Sequence, residues 1–154
     1  MNIDKKSYNI FLKTISKDLT KFNLAYGFFD DKNQTHENGE KSSQIAFSHI
    51  KGDPARHLPK RDFAIEPILE KKEKIVKETQ NALNNTKNNK NFMYPVLKHI
   101  GDVIIDISKQ TINNNGNGNW KKLSQKTIDK KGNDRMLRDT DKMYNDYQSK
   151  VIKK

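Results

Sequence analysis

The chain has 154 residues, of which 32% are hydrophobic and 32% charged, with a net charge of +11. Globular domains usually carry about 45–50% apolar residues, glycine included, so one domain with a thin core is expected, part of its order coming from neighbouring subunits. The absence of cysteine excludes disulfides and cysteine-based zinc sites and fits a reducing compartment.

Tyr8, Phe11, Leu12, Ile15, Leu19 and Phe22 recur at helical spacing and predict a helix over about residues 5–21. The same opening stretch lacks the uninterrupted apolar run of a signal peptide. Leu24 to Phe29 is short and aromatic-rich, which predicts a strand, with Gly27 marking a bulge or a close backbone contact. The polar loop DDKNQTHENGEK follows. Ser42 is expected to cap a short helix carrying Ile45, Ala46, Phe47 and Ile50, with a strand as the alternative. Gly52, Pro54 and Pro59 then impose an irregular loop, after which Phe63 and Ile65 read as a short extended segment.

Pro67 suits the first turn of the next helix, which Ile68, Leu69, Ile75, Val76 and Leu83 carry to about Asn84. Its outer face offers the i,i+4 pairs Glu70–Lys74 and Glu73–Lys77. Residues 84–91 read as a loop. Tyr94, Leu97, Ile100, Ile104 and Ile107, widened by Val96, Val103 and Ile105, form the strongest apolar stripe, predicting a central core helix over about 94–112. Low-complexity sequence over 113–119 reads as a flexible loop. Ser124 is placed to cap a helix over about 125–131, and Asp139 or Thr140 to cap another running through Met143, Tyr144 and Tyr147. SKVIKK alternates weakly and reads as a terminal strand. No run approaches the roughly 20 apolar residues of a membrane span.

Few residues group as a catalytic or binding centre requires. Gly116-Asn117-Gly118 lacks the third glycine and preceding strand of a dinucleotide loop. Asp139-Thr140-Asp141 resembles half of an aspartic-protease motif, but that chemistry needs two such carboxylates and a glycine where Asp141 stands. In the polar loop, Asp31, Asn33 and Thr35 alternate as in a calcium loop, yet His36 occupies the position that needs glycine. The histidines, His36, His49, His57 and His99, form no metal-ligand spacing. No catalytic residue, cofactor or metal is therefore expected, and Trp120 is read as a packing anchor. The positive charge has three possible uses: contacting nucleic acid, docking on an acidic protein, or solubility. From Trp120 to Lys154 there are eleven Lys/Arg and five Asp, with Trp120, Tyr144 and Tyr147 among them. That mixture keeps open a basic nucleic-acid-binding protein that stacks bases on aromatic rings.

Three segments, in order, resemble a family of tailed-phage virion morphogenesis, neck or tail-completion proteins, related to the Mu tail-completion and lambda-like head–tail joining groups. The first is Ile45 to Gly52 followed by Leu58 to Phe63, similar to "IA-x-x-HEFG … IPARPFL". The second is Leu97 to Ile107 with Gly101, similar to the family's helix around "LG". The third is similar to "W-x-PLS-x-x-T-x-x-KG … L-x-DTG-x-M" through Trp120, Leu123, Ser124, Thr127, Lys131, Gly132, Leu137, Asp139, Thr140 and Met143. Ile50, Lys51, Asp62 and Asp141 depart from the pattern, Asp62 replacing a proline and Asp141 a glycine. The resemblance spans about residues 24–152.

The resemblance implies a single α+β domain over 1–154, its helices packed on a small sheet with long polar loops. It implies a structural, non-catalytic virion protein acting in head–tail joining or tail completion. Such a protein forms a homo-oligomeric ring, a hexamer in the family, at the neck or tail. Its partners there are portal or adaptor and tail-tube or terminator proteins, with a passing contact to DNA, no membrane, and assembly in the host cytoplasm. On this reading Arg61 and Phe63 anchor one docking loop (52–63), and Trp120 anchors another (113–120).

Overall fold

The computed structural model describes residue 17 and residues 20–86 and 92–154. The helix predicted over about residues 5–21 lies almost wholly outside the described residues, as do positions 87–91 of the loop that follows Leu83. Among the described residues, six α-helices and a two-stranded antiparallel sheet make an α+β fold. None of these helices is long and apolar enough to cross a membrane.

The strands are β1 (Phe22–Gly27) and β2 (Gln148–Lys153), with Phe22 opposite Lys153 and Gly27 opposite Gln148. The helices are α1 (Ser42–Lys51), α2 (Glu66–Glu70), α3 (Lys72–Thr86), α4 (Met93–Asn113), α5 (Gln125–Lys131) and α6 (Lys142–Asp146). An isolated two-stranded ribbon is marginal in water. Here α4 supports it.

The stripe read from the sequence does make α4 the axis of the core. Val96, Leu97, Ile104, Ile107 and Ile112 are all buried. Along the first half of α4, Met93, Val96 and Leu97, with Phe92 just before it, pack against Phe22, Leu24 and Val151 of the sheet and Ala82 and Leu83 of α3. Along its second half, Ile105 and Ile112 meet Ala46 of α1, Phe63, Met143 of α6 and Tyr147. Tyr94 stands outside this stripe, half exposed, with its ring edge-on to Phe22 at 5.9 Å.

Close approach of α4 to the sheet depends on Gly101. A Cβ at that position would lie 2.5 Å from Ser149 Oγ and 2.8 Å from Ser149 Cβ. Gly101→Val is accordingly expected to push α4 off β2 and lower stability by about 2–3 kcal/mol, read from urea unfolding. Gly101→Ala should cost less, since alanine regains about 1 kcal/mol of helix propensity.

Three local readings need correction. Ser42 is the first residue of α1 rather than its cap, because its hydroxyl donates to Asp146 Oδ2 at 2.6 Å; the α1 start is closed instead by Gln44 Oε1, which accepts from the Lys41 N–H at 2.8 Å. Phe63 to Ile65 bends rather than extends. The Asp62 carboxylate, where the family pattern has a proline, accepts from the N–H groups of Ala64, Ile65 and Glu66 and so holds the bend that leads into α2. Neither Asp139 nor Thr140 caps α6. Its flanking residue is Asp141, in the left-handed region at φ 58°.

Other readings match. Pro67 lies in the first turn of α2, and the predicted helix runs on as α3 to Thr86 after a turn at Lys71. The expected pairs Glu70–Lys74 and Glu73–Lys77 do not match, since neither is among the ion pairs of the described residues and Lys74 instead reaches Asp106 of α4 at 3.9 Å. Ser124 caps α5, accepting from the Thr127 N–H, and Gly132 ends it at φ 70°.

Candidate functional site

The segments singled out in the sequence converge at one end of α4. From α1 the chain passes through a short 3-10 turn at Pro54–Arg56, clipped by backbone pairing of Asp53 with Leu58. It then delivers Arg61, Asp62 and Phe63 inward. All three are buried, Phe63 completely. The Phe63 ring meets Tyr147 edge-on at 5.4 Å, and the Phe28 ring meets Tyr147 at the same distance in a tilted arrangement. Burial pushes the Tyr147 hydroxyl up to about 12.

Arg61 and Phe63 were expected to anchor an outward docking loop. The structure turns both inward, because the 3-10 turn and the Asp62-capped bend direct the loop's apolar and planar side chains under α4. Arg61 Nη2 donates to the Lys121 carbonyl at 3.0 Å and so ties the 53–63 loop to the residue after Trp120. The two loops are joined to each other within one chain.

Trp120 is half-buried, and its neighbourhood is made by the preceding turns. Residues 114–120 are closed by successive backbone bonds, among them Gly116 N–H to Thr111 O at 2.8 Å and Trp120 N–H to Asn115 O at 3.3 Å. The indole lies across Gly116, where any Cβ would come within 2.4 Å of the ring. Trp120 thus packs on its own loop and the core and stays partly exposed.

A second knot secures α6. Arg138 grips both carboxylate oxygens of Asp141 at 2.9 and 3.0 Å, donates to Asn113 Oδ1 at 2.8 Å, and lies 4.1 Å over the Tyr144 ring. The Arg138 hydrogen bonds hold the Asp141 carboxyl below the usual range. Asp141, which stands where the aspartic-protease motif has glycine, is thus a structural partner of Arg138.

The centre that sequence reasoning missed is Asp146, only 1% exposed. It accepts from the Gln34 N–H at 2.8 Å, from Gln34 Nε2 at 2.7 Å and from Ser42 Oγ at 2.6 Å. His36 Nε2 completes the network through Ser42 Oγ at 3.0 Å. The network pins the polar loop to α1 and α6. The residues that alternate like calcium ligands face apart. Asp31 pairs with Lys150, Asn33 bonds Ser43, and Thr35 bridges to Lys41.

His49 sits below this region in α1 with Nδ1 enclosed and unpartnered. Burial, then the positive charges of Arg61, Arg56 and Lys131, lowers it from 6.5 to about 4. Between those values the unfolded chain binds a proton that the folded chain refuses, so stability falls with falling pH, from 6.5 down to about 4. A total loss of about 2–3 kcal/mol follows over that window. Urea midpoints measured at pH 7 and pH 5.5 should separate for the parent chain and converge for His49→Gln.

No family model, curated protein or solved structure matches this chain.

Proposed function

We propose that this chain is a structural, non-catalytic subunit of a phage neck or tail, acting in head–tail joining or tail completion within a homo-oligomeric ring. The observation that carries this reading is the convergence of the three resembling segments on one core. Ile45 and Ala46 from the first, Ile105 from the second, and Trp120, Leu137 and Met143 from the third pack together around Phe63 and Tyr147. Residues far apart in sequence are thus used jointly, as parts of one motif would be.

Two further features support it. Asp141 stands where the family pattern has glycine, and it adopts the left-handed φ of 58° that glycine favours. The outer surface also carries apolar side chains suited to subunit contacts. Ile65 just before α2, Leu69 in α2 and Val76 in α3 are 54%, 65% and 55% exposed.

Native mass spectrometry of the concentrated protein, alone and with portal and tail-tube proteins, tests the assembly role. A closed ring or a stoichiometric complex is expected, and a persistent monomer in every mixture would sink it.

A nucleic-acid-binding role draws support from Lys121, Lys122, Lys126 and Lys130, all exposed on one short stretch. Its stacking element is weak, since Tyr147 is 3% exposed and Tyr144 lies under Arg138. Binding through these lysines alone would be sequence-independent and fall steeply as salt rises.

A further inference from the structure

An open groove of about 430 Å³ lies between α4 and the junction of α6 with β2, within the range of about 300–1,000 Å³ that small ligands occupy. Asp102, Ile105, Asp106 and Lys109 recur at i, i+3, i+4 and i+7 and give it one face of α4 as a wall. Asn145 and Gln148 line it from the junction, and Lys32 from the 3-10 turn at Asp30–Lys32.

This lining is rich in donors and short of open acceptors. Both of its carboxylates are engaged by residues outside the groove, Asp102 by Lys98 at 2.9 Å and Asp106 by Gln110 at 2.8 Å and Lys74 at 3.9 Å. Asp31, beside Lys32, is taken by Lys150 at 2.6 Å, and Asp30 lies outside the lining. Lys109 is half-buried, its Nζ 4.8 Å over the Tyr144 ring. Burial, then the like charges of Lys32 and Arg138, lowers its amine, and no carboxylate opposes that shift. Arg138 is matched by Asp141, so the excess charge at this end rests with Lys32 and Lys109. On the opposite wall Gln148 Nε2 is enclosed without a partner among the described residues, and an enclosed donor is ordinarily satisfied by water or a ligand.

We propose that the Lys32–Lys109 end of this groove binds one phosphate dianion, free or as the terminal phosphate of a small organic molecule whose body lies along Ile105. A phosphomonoester carries about −1.5 to −2 charge near pH 7, which two ammonium groups match, whereas a carboxylate matches one. The Gln148 amide adds a neutral donor to the charge-assisted bonds of the lysines. A nucleic-acid strand fits less well. Asp106 and Asp102 stand about 4.5 and 10.5 Å along α4 from Lys109, so further phosphates running down the groove would meet like charge.

The test is an NMR titration of the ¹⁵N-labelled full chain, following the side-chain amides of Gln148 and Asn145. Inorganic phosphate, adenosine monophosphate, acetate and oligothymidylate are added in parallel. Phosphate and adenosine monophosphate should shift both amides saturably and more strongly than acetate. Tighter binding of the nucleotide assigns an organic phosphate, and equal binding assigns the free ion. Lys109→Gln should weaken phosphate binding about tenfold and Lys32→Gln about three- to tenfold, while Lys121→Gln, in the exposed basic stretch, should leave it unchanged. Urea midpoints establish that each variant is folded, and Lys32→Gln carries the test if Lys109→Gln is not. Static amides, equal shifts with acetate, oligothymidylate binding more tightly than adenosine monophosphate, or unchanged phosphate binding by a folded lysine variant of the groove overturns the site.

Discussion

Asp146→Ala is expected to lower folding stability by about 3–5 kcal/mol, a large share of the roughly 5–15 kcal/mol that a domain has. The carboxylate is 1% exposed and receives three hydrogen bonds, two from Gln34 and one from Ser42. Alanine would strand the buried Ser42 hydroxyl at a cost of about 1–3 kcal/mol and remove the two charge-assisted bonds from Gln34, each worth about 1.5–3 kcal/mol before the exposed Gln34 regains water. It would also free the polar loop from α1 and α6. Asp146→Asn keeps an acceptor but turns an N–H₂ toward a donor, so a smaller loss of about 1–3 kcal/mol is expected. Ser42→Ala removes one bond together with its donor and should cost about 1 kcal/mol. Equilibrium urea unfolding monitored by circular dichroism ranks the three. If Asp146→Ala keeps the parent midpoint, the network does not hold the fold.

Phe63→Ala should cost about 3–5 kcal/mol, the usual range for removing a fully buried phenylalanine. The ring has no exposed surface and fills the space between Ala46, Ile112, Met143 and Tyr147. This substitution also separates the two roles considered for the 53–63 loop. An inward anchor lowers the unfolding midpoint when truncated. An outward docking residue would leave the midpoint unchanged and weaken assembly alone. The geometry predicts the first result.

Legibility in the sequence followed the range of the interaction. The α4 helix was read from the spacing of Leu97, Ile100, Ile104 and Ile107, because helical period needs no knowledge of the partner. The α5 boundaries were legible for the same reason, since Ser124 and Gly132 act within one turn. The terminal strand was visible in its alternation. By contrast, nothing local marks Asp146, whose partners Gln34 and Ser42 lie 112 and 104 positions away. Ser42 and Asp62 illustrate the opposite misreading. One looked like a cap and serves a tertiary bond; the other looked like a departure from a proline pattern and holds the turn that leads into α2.

Residue type in the 52–63 loop was informative, but direction was not. An arginine and a phenylalanine beside Gly52 and Pro54 suit an exposed contact loop as well as a buried one. Only the turn geometry at Pro54–Arg56 and the Asp62 bonds decide that they point inward. Trp120, read as a packing anchor and as the second docking residue, does the first and stays partly exposed.

Cryo-electron microscopy of tailed-phage virions, searched for this chain, tests the proposed assembly role most directly. The expected result is density for this fold repeated around a symmetric, hexameric ring at the junction of portal and tail, with Ile65, Leu69 and Val76 covered by neighbouring subunits. Purified virions lacking the chain, together with a protein that stays monomeric when concentrated, would contradict it.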